Sequence, residues 1–212
     1  MTIRILITTI LLITLFNCHN SKKDHTLNLD GEYFFSEGSN LSYYIPKKFK
    51  GAYVTNDEEF DSLIKTISHP KLKESINHFY RNAYVHPEAF NAQYFYMEDA
   101  NHYAFLIINE LKHIRLNDLE MNYFKDYRNS SLQGYTKDSS ATITFTDDKF
   151  INNSDYQLMI SRGKTTTSND SVFWEFYIES KFLNTFTIVT KSNRALDFQP
   201  YIKAIAYGDK RN

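Results

Sequence analysis

One cysteine, six glycines and four prolines in 212 residues exclude several kinds of protein at once. With a single thiol, Cys18, no disulfide framework can hold the fold, so the domain must be stable through packing alone. So little glycine and proline argues against collagenous, loop-rich or low-complexity chains. No charge of one sign dominates: 24 basic residues stand against 25 acidic ones. That balance offers no electrostatic footprint for nucleic acid, nor the acidic excess of a disordered chain. Also missing are the motifs Gly-x-Ser-x-Gly, Gly-x-x-x-x-Gly-Lys-Ser/Thr, Gly-x-Gly-x-x-Gly and His-Glu-x-x-His, each of which carries a known chemistry. What the chain does have is apolar surface, 42% hydrophobic and 16% aromatic residues. A chain of this length is expected to form one domain that buries about 70% of its unfolded surface.

The first residues form an address. Met1–Arg4 supplies a positive charge, and Ile5–Phe16 is apolar apart from its threonines. That run is shorter than the roughly 20 residues a membrane-spanning helix needs, and it fits the apolar region of a signal peptide. Asn17-Cys18 and the polar stretch His19–Asp24 follow. Leu15-Phe16-Asn17-Cys18 resembles a bacterial lipobox, in which the thiol is diacylated and becomes the new N-terminus. Asn17 is larger than the small residue such a box prefers. The competing reading is an ordinary secretory signal with an incidental cysteine. The layout predicts a signal peptide at 1–17, lipidation at Cys18 with a polar tether to residue 30, and a single domain over 31–212. Palmitate-type acyl chains, at roughly 0.8 kcal/mol per buried methylene, would fix such a chain to a membrane of the cell envelope, on its periplasmic face or at the cell surface.

Periodicity fills in the domain. Strands are expected at Leu41–Pro46, Ala92–Glu98, Tyr103–Glu110, Ala141–Thr146, Tyr156–Arg162, Val172–Glu179 and Phe182–Thr190, with a tight turn at Ser180-Lys181 and a polar loop at Gly163–Asp170. Helical stripes appear at Phe60/Leu63/Ile64/Ile67 behind an Asn56 cap, and at Leu72/Ile76/Phe79 behind Pro70. Two more follow at Leu116/Leu119/Tyr123/Tyr127 and at Phe198/Tyr201/Ile202/Ile205, the last ending near Gly208. A meander demands antiparallel pairing, so the class is α+β: an antiparallel β-sheet with helices packed on it.

Several stretches resemble the MOG1/PsbP-like fold, whose bacterial lipoprotein branch is related to DcrB. They are Tyr43-Tyr44-Ile45-Pro46-Lys47-Lys48-Phe49 near the start, and His102–Gly134 as a strand followed by a long helix. At the end, Tyr156-Gln157-Leu158, Trp174-Glu175-Phe176-Tyr177-Ile178, Thr185-Phe186-Thr187-Ile188 and Phe198–Ile205 fall in the expected order. The resemblance covers most of residues 41–207, with Asn56–Arg81 as an addition. It implies an αβα sandwich and a non-catalytic accessory, assembly or binding protein. It transfers no functional residue.

The polar candidates are weak. Glu74 and His78 stand four apart on a helix, a spacing that can chelate a metal, but on a face turned from the apolar stripe. His69 and His86-Pro87-Glu88 read as loop residues. Asp57-Glu58-Glu59 and Asp61 read as the acidic first turn of a helix. Asp147-Asp148 with Asn152, Asn153 and Asp155 lacks calcium-loop spacing and reads as a polar hairpin. The aromatic runs Tyr33-Phe34-Phe35, Tyr43-Tyr44 and Tyr94-Phe95-Tyr96 read as core covered on both sheet faces, with a partner or glycan platform as the alternative. No catalytic, metal-binding or cofactor residue is nominated. The expectation is a membrane-anchored lipoprotein with a binding or assembly role toward an envelope protein or glycan. The alternative is an envelope enzyme whose site gathers dispersed residues.

Overall fold

The computed structural model describes residues 30–37, 40–83, 92–133, 141–167, 171–181 and 184–211. The expectations for 1–17, Cys18 and His86-Pro87-Glu88 lie outside these residues. In chain order the elements are β1 (Gly31–Ser36), β2 (Leu41–Pro46), β3 (Lys50–Val54), α1 (Asp57–Thr66), α2 (Pro70–Ala83), β4 (Ala92–Glu98) and β5 (Tyr103–Lys112). Then come α3 (Asp118–Gln133), β6 (Thr142–Asn152), β7 (Gln157–Thr166), β8 (Ser171–Lys181), β9 (Asn184–Ser192), α4 (Gln199–Lys203) and β10 (Ala206–Tyr207).

Seven strands form one antiparallel sheet in the order β3-β4-β5-β9-β8-β7-β6. A second sheet, β1-β2-β10, is small. The class is thus an α+β sandwich. Period-2 alternation splits the large sheet into two apolar faces. On one face Tyr94, Tyr96, Phe105, Met159, Trp174 and Phe176 meet Phe60, Leu63, Leu72, Ile76 and Phe124 of the three longer helices. On the other, Phe95, Leu106, Leu158, Tyr177 and Phe186 meet Leu41, Tyr43 and Ile45 of β2, and Phe198, Ile202 and Ile205 around α4. The second outer layer is therefore mainly a small sheet with one short helix. Among the described residues no helix is long and apolar enough to cross a membrane.

The acidic stretch serves α1. The Asn56 side chain accepts the Glu59 N–H at 2.9 Å, and the Glu59 carboxylate reaches back to the Thr55 N–H at 2.6 Å and the Thr55 hydroxyl at 2.8 Å. This reciprocal cap satisfies donors that a helix start leaves orphaned. The Thr55 bonds hold the Glu59 carboxyl below its ordinary range.

Several expectations need correction. Tyr123 does not face the core; it is 75% exposed, while Phe124 and Arg128 turn inward. The Arg128 guanidinium donates to Asp148 at 2.7 Å, donates to the Ser161 hydroxyl and lies 3.6 Å from the Phe145 ring centre. A stripe of apolar letters cannot reveal an inward arginine. The polar hairpin expected at 147–155 is the β6–β7 connection, but the strand expected to end at Thr146 runs on to Asn152. Only Asn153–Asp155 turn, with the Asn153 side chain accepting the N–H groups of Asp155 and Tyr156. Asp147 and Asp148 face opposite sides, toward Arg162 and Arg128. Ser180 and Lys181 do not turn; they pair with Thr185 and Asn184. Gly163–Thr166 continue β7, and α4 stops at Lys203, well before Gly208.

Candidate functional site

α3 is pinned to the sheet by Arg128, near its C-terminal end, and that choice leaves space near its start. Beneath the first half of α3 lies a cavity of about 250 Å3. Its floor is Phe176 and Ile178 of β8 with Thr185, Thr187 and Val189 of β9. Leu111, Ile114 and Leu116 form a wall, and Glu120, Tyr123 and Phe124 of α3 form the roof. The small threonines on the floor do not fill what the outward turn of Tyr123 vacates. Ile114 (44% exposed) and Tyr123 stand at the lip.

The wall is fixed in place. The Ile114 N–H donates to the Thr185 hydroxyl at 2.7 Å, and that hydroxyl donates to the Ile114 carbonyl at 3.4 Å. The Leu116 N–H donates to Gln157 Oε1 at 2.8 Å, while Gln157 Nε2 donates to the Leu116 carbonyl at 3.1 Å. Two side chains thus act as backbone surrogates, and residues 114–116 are held without a paired strand. A cavity with such a wall is preformed, which lowers the ordering cost of binding.

Its chemistry is apolar. The ionisable groups along it are Glu120, Tyr123 and Tyr177. The Glu120 carboxylate accepts the Asn117 N–H at 3.0 Å, at the helix start. The Tyr177 hydroxyl is on the other face of the sheet, donating to Glu175 at 2.6 Å. No nucleophile–base pair lines the cavity among the described residues, and its apolar lining is of the kind that holds a ligand.

A second cleft of about 460 Å3, between α1 and α2, is lined by Asp57, Phe60, Asp61, Asn77, Tyr80 and Arg81. Tyr80 stacks on Phe60 with ring centres 3.6 Å apart and donates to Asp57 at 2.7 Å. It is larger, but Asp57, Asp61 and Arg81 are exposed, and a ligand there would displace water from charges for little apolar burial. One serine–lysine pair invites a catalytic reading: Lys191 Nζ donates to Ser75 Oγ at 2.6 Å. Both residues are buried under α2, the lysine 4.6 Å from the Trp174 ring centre, and Ser75 itself donates to the Lys71 carbonyl. The pair ties α2 to β9.

The remaining sequence candidates disperse. Glu74 is exposed and His78 half-buried on α2. Among the described residues no three His, Cys, Asp or Glu side chains gather as a metal site. The His69 ring packs on Tyr103 at 4.7 Å. Tyr94, Phe95 and Tyr96 are all buried, and Tyr33 and Phe34 pack on Tyr44 and Phe95. Tyr43 and the run Tyr94-Phe95-Tyr96 are covered core, whereas Tyr33, Phe34, Phe35 and Tyr44 are only half-buried. Sequence reasoning missed the cavity, whose residues come from five separate segments. Its one sequence trace is Ile114, an aliphatic residue between His113 and Arg115.

No family model matches the chain, and no curated protein matches it. Among solved structures, a protein of Bacteroides thetaiotaomicron superposes with a TM-score of 0.41 at 11% identity, over 86% of this chain and 50% of the other. The chain therefore spans about half the length of that protein, a likeness too slight to carry an argument about function.

Proposed function

We propose that the protein is a non-catalytic binding or assembly lipoprotein of a bacterial cell envelope, anchored through Cys18, whose cavity under α3 takes a slender apolar moiety of the acyl-chain type. The observation that carries this reading is a preformed apolar cavity with no convergent acid–base pair. At about 250 Å3 it is smaller than the roughly 300–1,000 Å3 of sites for drug-sized ligands, so it suits one chain and no bulky ring system. Eight methylenes buried there contribute on the order of 6 kcal/mol, against the cost of association. Taken alone, that gain sets a lower limit of about 40 μM on Kd, and the association cost raises it. The leader ending at Cys18 supports the anchor, and the resemblance to the MOG1/PsbP-like fold supports an accessory role.

The test is a fluorescence titration of the purified protein with a long-chain fatty acid bearing a terminal fluorophore. Saturable enhancement is expected for the wild type and its loss for Thr187→Trp, which puts an indole on the cavity floor. A wild-type signal that never saturates, or one unchanged in Thr187→Trp, overturns the reading.

A further inference from the structure

Beyond ligand binding, one buried group has no structural employment. Glu179 on β8 is fully buried, and neither carboxylate oxygen has a hydrogen-bond partner among the described residues. It belongs to the inward row Glu175, Tyr177, Glu179, Lys181, and its cross-strand neighbours are Leu158 of β7 and Phe186 of β9. Over this row lies the C-terminal strap formed by α4 and β10. Ile202 and Ile205 of the strap pack in the same apolar cluster as Leu158, Tyr177 and Phe186.

Two cationic fastenings hold the strap. At its start Arg162 donates to Asp197 at 2.8 Å and to Gln199 at 3.1 Å. At its end Lys181 Nζ donates to the Ile205 carbonyl at 2.8 Å and to the Lys203 carbonyl at 3.2 Å. Lys181 sits two residues from Glu179 on the same face. The charged groups acting on Glu179 are Lys181 of its own strand and Lys203 of α4; Asp155, before β7, acts on Lys181. From β2 the titratable side chain packed in this cluster is Tyr43, whose ring meets Phe186 edge-on at 6.3 Å. Leu158 and Phe186 bring no charge.

We propose that Glu179 is a proton-controlled catch for the C-terminal strap: neutral, it leaves Lys181 on the strap's carbonyls, and ionised, it draws the ammonium away so that the strap lifts. A bare carboxylate in an apolar layer is too costly to stay unpaired. The nearest cation on its own strand is the one already holding Ile205 and Lys203, so ionisation and fastening compete for one ammonium. Burial pushes the Glu179 carboxyl up to about 7, well above the ordinary carboxylate range. A raised acid favours the closed, protonated strap at low pH. Closure weakens as pH rises from the exposed value toward the buried one, and levels off above it.

The strap's opening is readable by hydrogen exchange of the full chain at about pH 6 and about pH 8, with each rate divided by its intrinsic value. The informative amides are Ile205, bonded to the Ile202 carbonyl, and Gly208, bonded to the Asn40 carbonyl. Their protection is expected to fall about tenfold over this interval in the wild type, with β5 amides unchanged, and to stay constant in Glu179→Gln. In Lys181→Met the strap is expected to be open at both pH values. Constant wild-type protection, or an equal fall in Glu179→Gln, overturns the catch.

Discussion

The Arg162 guanidinium donates to the Glu175 carboxylate at 2.7 Å, and the other oxygen of Glu175 accepts the Tyr177 hydroxyl at 2.6 Å and the Phe198 N–H at 2.9 Å. One buried carboxylate thus satisfies a cation from β7, a phenol from β8 and the backbone where the strap begins. Removing the carboxylate leaves the buried Tyr177 hydroxyl and Phe198 N–H without their acceptor, and takes from Arg162 its most buried counter-ion, Asp147 and Asp197 remaining. Glu175→Leu should therefore destabilise the fold by about 3 kcal/mol or more, read by urea denaturation. A loss below about 1 kcal/mol, the scale of surface pairs, would show that the network is incidental.

Tyr94 gives a prediction of the opposite sign. Its ring is buried beside Phe60, but its hydroxyl has no hydrogen-bond partner among the described residues. Burial keeps that phenol protonated, well above its usual range. An unmade buried bond costs about 1–3 kcal/mol, so Tyr94→Phe should raise the melting temperature. A clear fall would mean that the hydroxyl has a partner.

Glu179 ties stability to pH. Burial lifts its folded pKa to about 7, above the roughly 4.3 of an exposed glutamate. Below the lower value both folded and unfolded states are protonated, and the group costs nothing. As pH rises between the two values the unfolded chain ionises first, and the penalty grows to roughly 3 kcal/mol. Above the folded value it is constant. Glu179→Gln should therefore stabilise the protein at pH 8 and have little effect near pH 4. Stabilisation of equal size at both would contradict the assignment.

The anchor has its own test. Cys18→Ala should move the protein from the membrane fraction to the soluble one and abolish labelling by a palmitate analogue. A mutant that fractionates and labels like the wild type would remove Cys18 from the account.

Much of the fold was legible because it depends on alternation and caps, which are local. Ala92–Glu98 reads directly as β4, and Asn56 as the cap of α1. β3 and β10 are not legible because their partners are distant in sequence, Val54 pairing with Ala92 and Ala206 with Ser42. β1 pairs with neighbouring β2 but shows no clean alternation, its Tyr33-Phe34-Phe35 run being half-buried throughout. The inward face of α3 was misread because its anchor is Arg128, a charged residue buried by Asp148 and Ser161. The cavity was illegible for a related reason. It is a packing deficit, produced where Thr185 and Thr187 lie under a helix whose Tyr123 turns outward, and no run of letters records an absent contact.

The central claim is that the space under α3 accepts an acyl chain. The most direct measurement is methyl NMR of the protein titrated with a fatty acid carrying a nitroxide along its chain. Resonances of Ile114, Leu116, Ile178 and Val189 should broaden first, at substoichiometric ligand, while Leu41 and Ile45 on the far face stay sharp. Broadening that favours the far face, or none below the concentration at which the fatty acid aggregates, would contradict the account.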